Sequence, residues 1–287
     1  MINVKTLVRP ALPKDQREIA NLMFFESHVH RHLDWRTPLD WLGSPLYWIL
    51  EHNDSIAAVL ACPQEQHEIA WIRLFAHTSQ FSLEDAWHAL WEVAQEDIAE
   101  RGGTTVAAIS LQNWFEPILQ NSGFANNKQV ISMEWKKTVT DEQTIPHNIT
   151  LRPMTVNDLP QVAALDAVAF EPIWQNSLSI LKQAYPQALV ATVAETTDGI
   201  VGYQISTKSP FGAHLARLAI HPQAQRQGIA SAIIHNLTTC LQKQDIDQLT
   251  VNTQSDNFAS QALYDKNNFS LTGEEYPVYT FEVPAQA

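Results

Sequence analysis

A short polar segment in the second half of the chain has the residue types of an anion-binding turn. Residues 225–230 read Gln-Arg-Gln-Gly-Ile-Ala; they follow an apolar run that predicts a strand over residues 215–220 and precede apolar residues at helical spacing. A helix that begins directly after a strand presents unpaired backbone N–H groups and the positive end of its dipole at the strand end. Gly228 and Ala230 are small enough to let a diphosphate reach the backbone. The spacing therefore predicts a phosphate-binding turn.

A second segment, about thirty residues further on, completes a recognisable pair of signatures. In residues 225–230, Gln225, Gly228 and Ala230 stand where the GCN5-related N-acetyltransferases (GNAT superfamily) have Gln or Arg, then Gly, then Gly or Ala. The second segment resembles the other GNAT signature through Asn257, Ala262, Leu263, Tyr264 and Phe269. Asn268 stands where glycine is usual, and asparagine tolerates the same left-handed backbone. The chain is therefore identified as a member of this superfamily.

The resemblance implies a fold and a reaction. The fold is α/β (α+β), with two tandem GNAT folds, each a mixed, largely antiparallel sheet flanked by helices. In this family the sheet parts beside its central strand, and the pantetheine of acetyl-CoA lies in the cleft. The implied reaction is direct attack of a primary amine, on a small molecule or a protein N-terminus, on the thioester. The residues that the resemblance implies for acetyl-CoA binding are Leu218, Ala219, Ile220, Gln225, Arg226, Gln227, Gly228, Ile229, Ala230, Ser231 and Asn257.

Two side chains are candidates for proton transfer. Tyr264 stands where the family has the tyrosine that protonates the leaving thiolate; a phenol with a pKa near 10 can donate to a thiolate whose conjugate acid has a pKa of about 8.5. Read alone, Tyr264 is equally an aromatic that packs on an amphipathic helix. Glu171, in the stretch Phe-Glu-Pro-Ile-Trp that resembles the acceptor loop, is the candidate general base, or a solvated loop acid.

Landmarks of the first half recur in the second at a nearly constant offset. Arg9 and Asp15 recur 143 positions later as Arg152 and Asp158. Two later pairs are offset by 144 positions, namely His77 with His221 and Asn113 with Asn257. Each half predicts the element order β-α-β-β-β-α-β-α-β. The pattern indicates an internal duplication, with a first domain over 1–140, a linker over 138–147 and a catalytic domain over 148–287.

The two predicted copies differ where the chemistry is expected. With His77 aligned to His221, residues 81–86 face residues 225–230, and Glu84 replaces Gly228. Two carboxylates at this helix start, Glu84 and Asp85, would repel a diphosphate. Leu119 stands in the place of Tyr264. We therefore expect a degenerate first copy that does not bind CoA in this manner.

Composition narrows the classes of partner. The 287 residues carry a net charge of −13, and both halves are acidic, which argues against a nucleic-acid or membrane partner. No signal peptide, membrane span or metal-ligand pattern is evident, so we expect a cytoplasmic enzyme that uses no metal. The alternative hypothesis is a non-catalytic acyl-CoA-binding or interaction module. The acceptor amine and the oligomeric state stay open at this level.

Overall fold

The computed structural model describes residues 6–66, 69–137 and 146–286. The strands are β1 (Thr6–Pro10), β2 (Val29–Arg31), β3 (Tyr47–His52), β4 (Ser55–Ala61), β5 (Gln64–Gln66), β6 (Ile69–Trp71), β7 (Leu74–His77), β8 (Thr104–Ile109), β9 (Ala125–Lys136), β10 (Thr150–Pro153), β11 (Val190–Thr196), β12 (Gly199–Ser209), β13 (Gly212–Ile220), β14 (Gln248–Gln254) and β15 (Phe269–Val283). The helices are α1 (Gln16–Phe25), α2 (Leu83–Glu100), α3 (Phe115–Asn121), α4 (Leu159–Ala169), α5 (Leu178–Ala184), α6 (Ile229–Gln242) and α7 (Phe258–Lys266). None of the helices in these ranges is long and apolar enough to cross a membrane.

The chain folds into two compact units. The first comprises residues 1–128 and 276–287, and the second comprises residues 129–275. The domain limits 1–140 and 148–287 stay a prediction, and most of the linker they define, residues 138–145, lies outside the described residues.

The second unit is a mixed sheet with helices on both faces. Its strand order is β10-β11-β12-β13-β14-β9, antiparallel except for the parallel pair β13 and β14. Apolar side chains of α6 and α7 pack with Leu215 and Val251 on one face. Helix α4 packs against β12 and β13. Because side chains alternate along a strand, each face presents a different set of residues to its helices.

The first unit repeats this plan with changes. One sheet has the order β1-β3-β4-β7-β2, and β8 pairs with β6 on one side and with residues 278–283 of β15 on the other. A core of large apolar side chains, including Trp48, Phe75 and Phe115, packs around α2 and α3. The short strand β2 has no counterpart in the predicted element order, because three residues with two polar side chains carry no periodic pattern that a sequence window can detect.

Each unit is closed by a strand from the other half of the sequence. Residues 130–136 of β9 pair with β14 in the second unit, where Met133 and Trp135 are buried. Residues 278–283 of β15 pair with β8 in the first unit, where Tyr279 is buried. The second unit is thus continuous in sequence, whereas the first unit is not.

A repeated ion cluster supports the predicted duplication. In the first unit the guanidinium of Arg9 donates to both carboxylate oxygens of Asp15, at 2.7 and 2.9 Å, and to Glu51. In the second unit Arg152 makes the same pair of bonds to Asp158, at 2.7 and 2.9 Å, and donates to Glu195. Both clusters tie the first strand of the unit to the turn before its first helix. The cluster lowers the pKa of Asp158 to about 2, chiefly because Arg152 donates to the carboxylate.

Candidate active site

The central strands of the second unit part from each other in the middle of the sheet. Among the described residues, β13 and β14 pair only from Ala213 to Leu215, opposite residues 249–251. Beyond that point β13 continues along β12 to Ile220, and β14 continues along β9 to Gln254. The two strands therefore open a cleft that starts just after Leu215.

Main-chain groups of β13 line this cleft. The His221 amide donates to the Val201 carbonyl at 2.8 Å, so the alternation of an antiparallel pair turns the amides of Leu218 and Ile220 away from β12. The Ala219 side chain is buried on the α4 side of the sheet. Leu218 and Ile220 thus offer hydrogen-bond donors to a ligand that lies along the strand.

The cleft leads to the start of α6. Gly228 occupies the N-cap position with φ +82°, and Arg226 has φ +62°, so the chain turns sharply before the helix begins. Within the described part of the chain, the amides of residues 226–231 have no backbone or side-chain acceptor, while Ala232 N–H already donates to Gly228. Residues 225–228 are exposed. Free amides at a helix start are the groups that an anion site requires, and the phosphate-binding turn stays a prediction.

Several residues predicted to bind acetyl-CoA have side chains that are buried or already hydrogen-bonded within the protein. Ile229 and Ser231 are buried, and the Ser231 hydroxyl accepts from Asn267 Nδ2 at 3.2 Å. Asn257 caps α7, with Oδ1 accepting from the Ser260 amide at 3.1 Å. Gln225 Nε2 donates back to the Ile220 carbonyl at 3.4 Å. At these positions the side chains are engaged within the protein, and the free groups near the turn are the amides of residues 226–231.

Tyr264 projects from α7 into the apolar layer between that helix and the sheet. Its ring packs against Phe269 at 5.3 Å between centroids, and 5% of the residue is exposed. Burial raises the pKa of the Tyr264 phenol well above its ordinary value, and the charge of Arg217 opposes part of this rise. The phenol is therefore protonated at neutral pH and able to donate.

A buried ion pair fixes the loop that follows α4. Asp166 of α4 is fully buried and accepts from Nε and Nη2 of Arg217, each at 2.7 Å. Asp166 also accepts from the Tyr203 hydroxyl and from the Asn176 amide. The Arg217 guanidinium lies 3.5 Å from the centre of the Phe170 ring and donates to the Trp174 carbonyl at 2.6 Å. Residues 170–176 are thereby held against the α4 side of β13.

Glu171, the predicted general base, lies in this loop. It is exposed and stands at the N-cap of the short 3-10 turn Pro172–Trp174. The ion pair behind it was missed by sequence reasoning, although Arg217 interrupts an otherwise apolar strand and Asp166 interrupts an apolar helix. Such single charges on apolar faces are the signal that could have found the pair, since buried charges need partners.

A comparison with family models identifies a domain in the second half of the chain. Residues 159–269 match the family model described as the acetyltransferase (GNAT) family. The second half of the chain contains a GNAT domain. A comparison with curated protein sequences finds no match.

Solved structures extend the likeness to the whole chain. A GCN5-related N-acetyltransferase from Sphaerobacter thermophilus is 15% identical with a TM-score of 0.64, covering 98% of this chain and 97% of that one. A tandem GNAT protein from the clavulanic acid biosynthesis pathway is 12% identical with a TM-score of 0.65, covering 99% and 100%. A GNAT-family acetyltransferase from Colwellia psychrerythraea is 13% identical with a TM-score of 0.58, covering 97% and 99%. The predicted fold of two tandem GNAT folds is confirmed.

In the described residues of the first unit, another strand occupies the place of the cleft. The Thr78 amide donates to the Ala57 carbonyl at 2.7 Å, in the place of the bond from His221 to Val201. Thr78, and not His77 as the sequence alignment suggested, therefore corresponds to His221, and Phe75 corresponds to Leu218. The edge of β7 that faces the cleft is paired with β2, with His30 opposite Phe75. A strand of the unit itself thus fills the place of the cleft.

The turn before α2 also differs from the turn before α6. Helix α2 has its N-cap at Ser82, four positions after Thr78, whereas α6 has its N-cap seven positions after His221. The residue in the place of Gly228 is therefore Ser82, not Glu84 as the sequence alignment placed it. The Ser82 hydroxyl accepts from the Asp85 amide at 3.3 Å and caps the helix with the unit's own side chain. Glu84 and Asp85 occupy the first turn, as expected.

No cluster of three or more His, Cys, Asp or Glu side chains that could hold a metal ion occurs in residues 6–66, 69–137 and 146–286.

Proposed function

We propose that the second unit transfers the acetyl group of acetyl-CoA to a primary amine, on a small molecule or a protein N-terminus, by direct attack in a ternary complex. The single observation that carries the proposal is the parting of β13 and β14 towards a turn of unpaired amides at residues 226–231. A thioester with a diphosphate at one end needs a slot of that kind, ending in an anion site. The GNAT domain makes acyl transfer the class of reaction expected of it.

The main chain of β13 supports the binding half of the proposal. The amides of Leu218 and Ile220 can bind the pantetheine as an added strand binds a sheet edge. One of them can also hold the oxyanion that forms when the amine attacks the thioester carbonyl. The diphosphate would lie on the amides of residues 226–231, with the exposed Arg226 beside it.

Tyr264 supports the chemical half of the proposal. The amine nitrogen forms a bond to the carbonyl carbon, and the carbon–sulfur bond breaks as the tetrahedral intermediate collapses. The buried phenol, with its raised pKa, stays protonated and can donate its proton to the departing sulfur of CoA. Glu171 remains a candidate for taking the proton of the amine, from an exposed position at the edge of the loop.

The first unit does not share this function in the proposal. Strand β2 pairs along the edge of β7, and the Ser82 side chain caps α2, so both halves of a CoA site are filled by the unit itself. We infer that the first copy contributes to the fold of the chain rather than to acetyl-CoA binding.

The test is a panel of primary amines incubated with acetyl-CoA and the full chain. The panel includes polyamines, amino sugars, amino acids and peptides with different N-termini, and the readout is free CoA thiol together with the mass of the acetylated product. Because Cys240 is partly exposed, the thiol signal is measured against protein without acetyl-CoA. Turnover with at least one amine supports the proposal. Tight acetyl-CoA binding without turnover on any amine contradicts it and favours a non-catalytic acyl-CoA-binding module.

A further inference from the structure

The segment that follows the first helix takes a different path in each unit. In the first unit this segment forms β2, which pairs with β7 and places Arg31 opposite Leu74. In the second unit the segment after α4 forms the short 3-10 turn Pro172–Trp174, and within the described part of the chain it pairs with no strand. The two copies therefore differ in where the same segment lies.

The offset between the copies identifies the corresponding residues. Helices α1 and α4 begin 143 positions apart, at Gln16 and Leu159. Glu51 and Glu195, which hold the same place in the repeated ion cluster, lie 144 positions apart. The segments between these landmarks thus differ in length by one residue. Counted from the helix starts, β2 corresponds to residues 172–174.

The strand edge that β2 covers corresponds to the edge that the cleft leaves open. Phe75 of β7 corresponds to Leu218 of β13, and His30 of β2 stands opposite Phe75. The Leu218 amide instead faces the cleft. The segment of the first copy therefore fills an edge that its counterpart leaves uncovered.

A buried polar group distinguishes the unit with the open edge. Asp166, Arg217 and Tyr203 are hydrogen-bonded to one another in the second unit. The first unit has apolar side chains at the corresponding positions, which pack in one cluster, namely Met23, Leu74 and Val59. An apolar group often stabilises a fold as well as a buried ion pair does, or better. The fold therefore does not require the charges, and their presence beside the cleft points to a role there.

The polar group holds the segment on the α4 face through its main chain. The Arg217 guanidinium, fixed by two bonds to Asp166, donates to the Trp174 carbonyl at 2.6 Å. The counterparts of Arg217 and Trp174 are Leu74 and Arg31, which are paired as strand residues. In the second unit a side chain of the central strand thus binds the segment that in the first unit pairs with the strand itself.

We propose that the Asp166–Arg217 pair keeps the cleft of the second unit open by holding residues 170–176 away from the edge of β13. Without the pair, residues 172–174 would pair with β13 as β2 pairs with β7, and the chain itself would occupy the Leu218 amide. The consequence for acetyl-CoA rests on the function proposed above, because that amide is one of the groups assigned to the pantetheine. Asp166 and Arg217 are then positioning residues for a ligand that they do not touch.

An ion pair suits this task because the two positions of the segment differ for buried charges. If the segment moved to the strand edge, Arg217 would lose the Trp174 carbonyl and Asp166 would lose the Asn176 amide. Buried charged groups that lose hydrogen-bond partners are costly, whereas apolar side chains impose no such cost on either position. The covered edge is therefore disfavoured in the second unit and allowed in the first.

The test replaces the polar group by an apolar one in the full chain, with the triple variant Asp166→Met/Tyr203→Phe/Arg217→Leu. Because both charges are removed together, the variant should unfold at the urea concentration of the wild type or a higher one. Hydrogen exchange without ligand is the decisive measurement. Exchange of the Leu218 amide should slow from its wild-type rate towards the rate of the paired Phe75 amide.

Acetyl-CoA affinity should fall in the same variant. If the covered arrangement holds about nine-tenths of the molecules, the apparent Kd rises about tenfold, because only the open fraction binds. The control is Asp158→Asn/Arg152→Gln, which neutralises an ion pair of the same two-point geometry before α4. Calorimetry and exchange at Leu218 should give wild-type values for this control.

Two results would overturn the assignment. One is a wild-type exchange rate at Leu218 in the folded triple variant, and the other is an equal change in the control. If the triple variant does not fold, Arg217→Lys decides, because lysine keeps the charge but lacks the planar fork. Exchange of the Asn176 amide should then be faster than in the wild type, and an unchanged rate would contradict the proposal.

The same measurements separate this inference from the proposed function. If the wild type binds no acetyl-CoA, the proposed function fails, while hydrogen exchange at Leu218 still decides whether the pair keeps the edge of β13 open. If the wild type binds acetyl-CoA and the exchange rates of wild type and triple variant agree, the function stands and the role of the pair is wrong.

Discussion

Arg217 and Asp166 are joined by two parallel hydrogen bonds of 2.7 Å, although Asp166 is fully buried. Two-point pairing of this kind fixes the orientation of both side chains. Because the Arg217 guanidinium also holds the Trp174 carbonyl and the Phe170 ring, the pair couples the central strand to the loop on the α4 face.

Removing one partner of this pair should cost much stability. Asp166→Ala leaves the Arg217 charge buried without compensation, and we expect the free energy of unfolding to fall by about 3–5 kcal/mol. Urea unfolding of the full chain measures the loss. Asp198→Ala, at an exposed hairpin turn, is the control and should change stability by no more than about 0.5 kcal/mol. Equal effects of the two substitutions would show that the pair adds nothing.

Gly228→Glu should abolish acetyl-CoA binding. The substitution places a carboxylate at the turn of free amides and forces a side chain into φ +82°. Gly273→Glu is a matched control, because Gly273 has φ +85° and open space around it but lies outside the turn. Calorimetry with acetyl-CoA should find no binding to the first variant and ordinary binding to the second. Tight binding by Gly228→Glu would refute the phosphate-binding turn.

Tyr264→Phe should lower turnover and leave binding intact. The ring contact with Phe269 is kept, while the proton donor to the leaving sulfur is lost. We expect kcat to fall about 10²-fold, the lower end of what a positioned acid contributes, and acetyl-CoA affinity to stay within twofold. Tyr279→Phe in the first unit serves as the control. Since the pKa of Tyr264 is raised, the kcat of the wild type should stay constant up to pH 10. A fall in kcat below pH 10 that is absent in Tyr264→Phe would contradict this.

The strand that closes the second unit leads to a prediction about fragments. A fragment of residues 125–275 contains the whole second unit with β9 and should fold and bind acetyl-CoA. A fragment of residues 146–287 lacks β9, leaves β14 with an open edge and loses the buried Met133 and Trp135. We expect it to show no cooperative unfolding transition and to aggregate. Circular dichroism and calorimetry compare the two, and the reverse result would contradict the strand assignment.

Several structural features of this protein could be predicted from the sequence because they depend on local residue types. The turn at Gly228 and the helix that carries Tyr264 depend on residues close together in the chain, so spacing alone predicts them. The offset that links Arg9 and Arg152 predicts the duplication because it compares the residue types of the two halves and requires no knowledge of their contacts. The turn of hairpin β3–β4 is local in the same sense, because Asn53 and Asp54 are residue types that favour the left-handed backbone that they adopt.

Pairing between strands that are distant in the sequence could not be predicted in the same way. The sequence of residues 130–136 does not determine whether they pair with β8 or with β14, since both partners are short strands that contain several β-branched residues. The placement of β2 beside β7, and the one-residue shift that makes Thr78 the counterpart of His221, depend on contacts between distant segments. The buried group of Arg217, Asp166 and Tyr203 has the same origin, because its members come from three separate elements.

The order in which the strands leave the ribosome has a consequence for biogenesis. The second unit is complete once residue 275 has emerged, but the first unit must wait for residues 276–287 to supply its last strand. At roughly 5–20 residues per second, about 8–30 seconds separate synthesis of residue 128 from that of residue 287. The unit whose synthesis begins first is therefore completed last, and loss of residues 276–287 would damage the fold of the first unit rather than that of the second.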